Sequence, residues 1–231
     1  MNKRIVAYCR PAENQRKDQE QPGISISQLE IPLETQTTPI YRAVDIFERQ
    51  FKTNPGIKRS KKKITDKRRL RSIINLHNKE GTRNLSQISS MIVQLASGKD
   101  ILSRSGLPNI KLVRTREDEL LLFDGHHSLL AYIANKKKYL HEIPHIIIEN
   151  NGKGHASEIE ILDFFGRHSS RIYPKCWKEY TINWQAGDQD QLTRRVQRNM
   201  GELFDSISNV LEYFINFVPS VYFNGKGKED S

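Results

Sequence analysis

A chain of 231 residues that is 36% hydrophobic, with a mean hydropathy of −0.65, is long enough for one well-buried core, and no run in it approaches the ~18–20 apolar residues of a membrane span. The net charge of +10 and a pI near 9.6 point to a polyanionic partner. The two cysteines, Cys9 and Cys176, are far apart and lack metal-type spacing, so they read as free thiols of a cytoplasmic protein and not as a zinc site or disulfide framework.

In chain order, residues 1–23 are polar and mixed in charge, without periodicity and without the apolar run of a signal peptide, and read as a flexible arm. Ile24–Leu33 alternates in part and predicts a first strand. Val44, Phe47 and Phe51 are spaced as on a helix over Tyr41–Phe51, ended by Pro55-Gly56. The segment 58–71 then gathers nine basic residues, Lys58, Arg59, Lys61, Lys62, Lys63, Lys67, Arg68, Arg69 and Arg71, against one acid, Asp66. Most of the chain's net charge is concentrated there, as in a surface that binds DNA by releasing phosphate counterions. A solvated, partly disordered loop is the alternative reading. With no aromatic interleaved, contact with the phosphate backbone is expected in preference to base stacking. The apolar positions Leu70, Ile73, Ile74 and His77 predict a helix that presents Lys67, Arg68 and Arg71 on its exposed face.

Leu85–Ala96 carries the stripe Ile88, Met91, Ile92 and Leu95, with Asn84 or Ser86 as cap and Gly98 at the C′ position. Pro108 introduces a strand over Ile110–Arg114. Arg116-Glu117-Asp118 is a turn, and Glu119–Phe123 returns as a strand whose nearly continuous apolar run implies burial on both faces. Asp124-Gly125-His126-His127 follows at once, then a helix from about His126 to Ala134 closed by Asn135 and three lysines, then a strand over Ile143–Ile148. Ser157–Phe165 predicts a further helix. From Asp188 onward, with Thr193 as a second cap, the spacing of Leu192, Val196, Met200, Leu203, Phe204, Ile207, Val210, Leu211, Phe214 and Ile215 predicts one broken helix or two, with Gly201 as the interruption. The organisation expected is an α+β unit over 24–150 with a basic insertion at 58–71, a helical extension over 151–224 packed on it, and a disordered tail at 225–231. The C-terminal helices are read as core or as a homodimer or protein-partner surface.

The motif Asp124-Gly125-His126-His127 has a chemistry of its own. A strand delivers the chain to a turn, Gly125 lets the backbone approach a ligand, and the helix that follows aims unpaired N–H groups outward as an anion site. His126 and His127 supply donors, acceptors and proton transfer near neutral pH, and Asp124 suits orientation of a histidine, metal holding or helix capping.

These residues carry a resemblance. The helix ending at Gly98, Pro108 before Ile110–Val113, Leu120–Phe123, the Asp124–His127 motif opening a helix, and Ile143-Pro144 with Ile146–Ile148 together resemble the ParB/sulfiredoxin superfamily of ParB-like nucleases. Ile31-Pro32-Leu33 resembles its first strand. The match is good from Leu85 to Glu149 and looser back to Ile31. The resemblance implies a small mixed sheet with packed helices and a nucleoside triphosphate, ATP or CTP, with its phosphates lined by Gly125, His126, His127 and Ser128. Asp124, His126 and His127 become the catalytic candidates, and Mg2+ a candidate cofactor. It implies a nucleotide triphosphatase or DNase acting at DNA, in a setting such as the plasmid-encoded inhibitors of conjugative transfer. The other readings are a DNA-binding or conjugation-regulating protein with a degenerate pocket, and a free amino acid kinase. Two departures matter. Sulfiredoxins need a cysteine where this chain has His126, which sets that activity aside. The usual arginine after the histidine pair is Ser128, so another cation must replace it or nucleotide affinity falls. Arg114, Arg116 and the basic segment are the replacement candidates. Glu34 and Glu48 are weaker candidates for a base or metal ligand, and Trp177 and Trp184 read as core in preference to base-stacking positions.

Overall fold

The apolar run between Ile110 and Phe123 folds as the expected hairpin and becomes the centre of the molecule. In the computed structural model, the described residues are 3–9, 25–33, 58–63, 66–75, 84–104, 106–150, 154–158, 180–182, 192–194 and 198–217, with the single positions 49 and 161. Strands β1 (Lys3–Cys9), β2 (Ser25–Leu33), β3 (Lys58–Lys63), β4 (Ile74–Asn75), β5 (Lys111–Arg114), β6 (Leu120–Asp124), β7 (His145–Asn150) and β10 (Arg198–Asn199) share a sheet in the order β10-β4-β6-β5-β7-β1-β2-β3. β8 (Tyr180–Ile182) and β9 (Leu192–Arg194) pair separately. The inner four strands are mixed: β4 runs parallel to β6, β6 antiparallel to β5, and β5 parallel to β7. Helices α1 (Leu85–Ala96), α2 (His126–Ala134) and α3 (Met200–Phe217) pack on one another. The class is α+β.

Burial explains why these segments chose these elements. Leu120, Leu121, Leu122 and Phe123 are all buried, as a strand covered on both faces requires. Leu112, Leu120 and Leu122 join Ile88, Leu95, Leu129, Leu130, Leu203, Ile207 and Leu211 in one apolar cluster between sheet and helices, each such side chain worth ~1.5–3 kcal/mol when fully buried. The caps of α1 are those expected: Asn84 Oδ1 accepts from the Gln87 amide at 3.2 Å, and the Gly98 amide donates to the Leu95 carbonyl at 2.9 Å.

Four expectations change. Residues 3–9, read as part of an arm, form β1 between β2 and β7; the partners lie far away in sequence, so no local window reveals them. The helix expected after the basic segment does not form over its described residues: Leu70–Ser72 is one 3-10 turn and Ile74-Asn75 is a strand. The spacing of Leu70 and Ile73 fits a single 3-10 turn as well as an α-helix, and the β-branched Ile73-Ile74 pair favours extension. The basic segment is therefore not one element. Lys58, Arg59, Lys61, Lys62 and Lys63 belong to the edge strand β3, whereas Asp66–Ser72 leads into β4 beside β6. The extension after residue 150 contains strands as well as a helix, and the helix begins at Met200, not near Asp188. Asn199 sets that start, its Oδ1 accepting from the Glu202 amide at 2.9 Å, and Gly201 lies in the first turn where the Arg71 side chain approaches to 3.2 Å of where a Cβ would sit. Most of the helices expected over 41–51 and 157–165, Glu34, Glu48, Cys176, both tryptophans and the tail 225–231 lie outside the described residues. Among the described residues, no helix is long and apolar enough to cross a membrane.

Candidate functional site

β6 delivers the chain to Asp124, and the turn into α2 is made by Gly125 at φ 91°, ψ 25°, in the left-handed region. An L side chain is disfavoured there on two counts. The backbone conformation is strained for any residue with a Cβ, and a Cβ would overlap the Asn109 carbonyl and approach the Ile110 Cα to 2.8 Å. The turn is thus pressed against the backbone that enters β5. No side chain caps the N-terminus of α2, and its first intrahelical bond runs from the Leu129 amide to the Gly125 carbonyl at 2.9 Å. The positive end of the helix dipole lies here, beside the Asp124 carboxylate.

Asp124 is half-exposed, and its carboxylate is engaged on both oxygens. Oδ1 accepts from the Gly125 amide at 2.8 Å, and Oδ2 accepts from Lys111 Nζ at 2.6 Å. Lys111 was not singled out by sequence reasoning. Its side chain is only 9% exposed, so its charge is held in a shielded position and depends on Asp124 for compensation. A register shift between Lys111 and Leu112 places Lys111 opposite Asp124 while Leu112 faces Leu122. Phe123 is the extra residue, and the irregularity aims the lysine at the start of α2.

The two histidines differ. His126 is buried, and burial, with a smaller contribution from neighbouring His127, pushes its pKa down to about 3. It is neutral at pH 7 and lies in the interior. His127 is half-buried; burial lowers its pKa although Asp124 pulls the other way, and its Nε2 is enclosed with no hydrogen-bond partner. Of the pair, His127 is the more exposed. Ser128, expected to line a phosphate site, points inward: it is fully buried, its Oγ accepting from Asn109 Nδ2 at 2.6 Å and donating to Met91 Sδ at 3.8 Å. That hydroxyl ties α2 to α1 and to the strand entry.

The replacement cations named from sequence lie elsewhere. Arg114 is at the other end of β5, about 10 Å along the strand from Lys111, and is bonded to Asp118. Arg68 reaches the same Asp118 at 2.9 Å, and Arg71 pairs with Asp205 at 2.5 Å and lies over the Phe204 ring. Among the described residues it is Lys111 that places a positive charge beside the motif. The signal that could have found it is a lysine inside an apolar strand, Ile110-Lys111-Leu112-Val113, since a buried ammonium needs a partner. Among the described residues, no group of three or more His, Cys, Asp or Glu is arranged to hold a metal ion.

No protein-family model, no curated protein and no solved structure matches this chain.

Proposed function

We propose that the chain is a ParB/sulfiredoxin-like protein that binds a nucleotide phosphate at the N-terminus of α2 and works at DNA. The observation that carries this reading is the seating of Gly125, which brings the uncapped first turn of α2 beside the ammonium of Lys111 and the half-buried His127. Helix amides, a positive dipole end and a lysine are the donor set that a phosphate group recruits. Lys111 takes the place of the arginine that the related motif carries at the position of Ser128. It is a point charge and not a bidentate fork, which favours modest affinity.

Hydrolysis of the nucleotide asks for a base that activates water. His127, neutral at pH 7 and adjacent to the seat, is the group suited to accept that proton. His126 is too deeply buried for that role, and Asp124 is held by Lys111. Magnesium would enter this site chiefly on the phosphates of the nucleotide, since the motif's carboxylate already accepts from the Gly125 amide and from Lys111 Nζ. The second reading is binding without turnover, favoured by the inward Ser128 and by the Lys111–Asp124 pair.

Calorimetry with ATP, CTP and inorganic pyrophosphate, with and without magnesium, followed by hydrolysis and DNA-cleavage assays on the same sample, tests both. Lys111→Met is expected to weaken nucleotide binding about tenfold, the usual scale for one charge-assisted contact of ~1.5 kcal/mol. His127→Ala is expected to keep binding and lose turnover. Hydrolysis undiminished in His127→Ala would remove its role as base, and absence of binding by every phosphate compound would remove the seat itself.

A further inference from the structure

The segment that enters β5 grips the Asp124–Ser128 stretch at both of its ends. Lys111 Nζ holds the Asp124 carboxylate at 2.6 Å, and two residues earlier Asn109 Nδ2 donates to Ser128 Oγ at the same distance. Between these side-chain bonds the two backbones touch. A Cβ on Gly125 would overlap the Asn109 carbonyl and come within 2.8 Å of the Ile110 Cα. The segment is itself fastened on either side: the Ile110 carbonyl accepts from the Ile146 amide of β7 at 2.8 Å, and Pro108 is bridged to Leu102. Residues 109–111 therefore form a fixed cradle against residues 124–128.

The two ends of the cradle differ in chemistry. Lys111 supplies a charge. Asn109, half-buried, supplies none. Its amide offers two N–H donors and an acceptor oxygen, so it can tie down a helix beside an anion without the repulsion that a carboxylate would add. Ser128, the third residue of α2, is fully buried, and its hydroxyl is used on both sides: it accepts from Asn109 and donates to Met91 Sδ of α1 at 3.8 Å. One residue thus holds the first turn of α2 at two points, through its carbonyl at Gly125 and its side chain at Ser128. Two contacts resist a rotation of the helix start relative to Lys111 that one contact would allow.

We propose that Asn109 is a positioning residue of the phosphate seat. Acting through Ser128, it sets the first turn of α2 against the Lys111 ammonium, so that helix and lysine address the same phosphate group. The inference rests on the reading that this seat takes a nucleotide phosphate. It adds the residue that keeps the two halves of the seat in place, and it gives the inward Ser128 a part in binding without contact to ligand.

Calorimetry with inorganic pyrophosphate on full-length variants, beside urea unfolding of each, tests it. Asn109→Ala is expected to weaken pyrophosphate binding about fivefold, the scale of one neutral hydrogen bond. Ser128→Ala is expected to lose the same factor, and the double variant no more than either single one, because both changes remove one bond. Met91→Leu cuts the other contact of the same hydroxyl while keeping the packing volume, and is expected to change binding less than about twofold. Should Asn109→Ala fail to fold, Asn109→Asp keeps the size of the side chain and can accept from the Ser128 hydroxyl. That variant is expected to lose more than about tenfold, since it sets a negative charge beside the phosphate. A lowered urea midpoint in Asn109→Ala with pyrophosphate affinity unchanged means that the bond serves stability alone, and overturns the inference while leaving the seat intact. Unchanged affinity in Asn109→Asp does the same. Losses that multiply in the double variant overturn action through Ser128. Absence of pyrophosphate binding by the wild type removes the seat, and the inference with it.

Discussion

Lowering the pH from 7 to 5 should unfold this protein far more readily than its surface charge alone suggests, because of two histidines in its interior. His126 and His145 are buried, and burial pushes their pKa values down to about 3 and about 4. For His126 the neighbouring His127 adds to the effect. For His145 the bond to the Ile143 carbonyl at 2.8 Å and the charge of Asp66 oppose burial, while Arg114 reinforces it. The unfolded chain takes up a proton on each imidazole as pH falls through about 6.5, whereas the native state does not until the pH reaches the depressed values. Stability from this source is fully present above about pH 6.5 and falls as the pH drops toward the native pKa values. At pH 5 each histidine is about one and a half pH units below its unfolded value, and at ~1.36 kcal/mol per unit each costs about 2 kcal/mol. The pair therefore removes about 4 kcal/mol, a large fraction of the ~5–15 kcal/mol typical of a domain. Urea unfolding at a series of pH values, read by circular dichroism, measures the effect as a falling midpoint at constant slope. His145→Gln should take away about half of the pH dependence. A midpoint unchanged between pH 7 and pH 5 would refute the assignment of both side chains as buried and neutral.

Two substitutions in the α2 turn test the local geometry. Gly125→Ala should cost at least ~2 kcal/mol in denaturant unfolding, since the left-handed backbone alone costs an alanine ~1–2 kcal/mol and the overlap with the Asn109–Ile110 backbone adds to it. A loss well under ~1 kcal/mol would show that the turn does not have this conformation. Ser128→Arg, which introduces the residue carried at this place by the ParB/sulfiredoxin motif that the sequence resembles, should lose more than ~3 kcal/mol of stability and gain no nucleotide affinity, because the position is fully buried between Asn109 and Met91. Tighter nucleotide binding in a stable Ser128→Arg protein, seen by calorimetry, would mean that this side chain reaches the phosphate seat after all.

What the sequence made legible is what local pattern controls. The α1 stripe, its Asn84 cap and Gly98 stop, the β5–β6 hairpin and the glycine turn into α2 each follow from spacing within a dozen residues, and each is found where expected. What it hid depends on distant partners. β1 exists through its pairing with β2 and β7, and β4 through its pairing with β6 and β10. The spacing of Leu192 and Val196 matched a helix, but Leu192–Arg194 pairs with Tyr180–Ile182. At the site, Asp124 and Gly125 could be singled out from sequence. The inward turn of Ser128 could not be read, because it is decided by the packing of α2 on α1 and not by the residues of the motif. Lys111 was hidden for a related reason: its register depends on an irregularity at Phe123 that leaves no mark in the pattern.

The geometry also separates two features that the sequence invited one to join. A basic segment and a phosphate-seat motif in one chain suggest a single surface on which the lysines and arginines complete the pocket. In the structure, Lys111 and Arg114 mark opposite ends of the same strand. The Asp124–Lys111 pair belongs to the α2 end, and the Arg68–Asp118–Arg114 cluster to the turn end. A single phosphate cannot touch both across about 10 Å of strand. Any coupling between the proposed nucleotide seat and a DNA contact at the turn end has β5 and β6, buried along most of their length, as its most direct path. Such coupling is reciprocal: if nucleotide tightens DNA binding, DNA must tighten nucleotide binding by the same factor. Measuring each affinity in the presence of the other ligand thus decides whether the two ends act as one device or independently on a shared sheet. Equal affinities with and without the second ligand would establish independence.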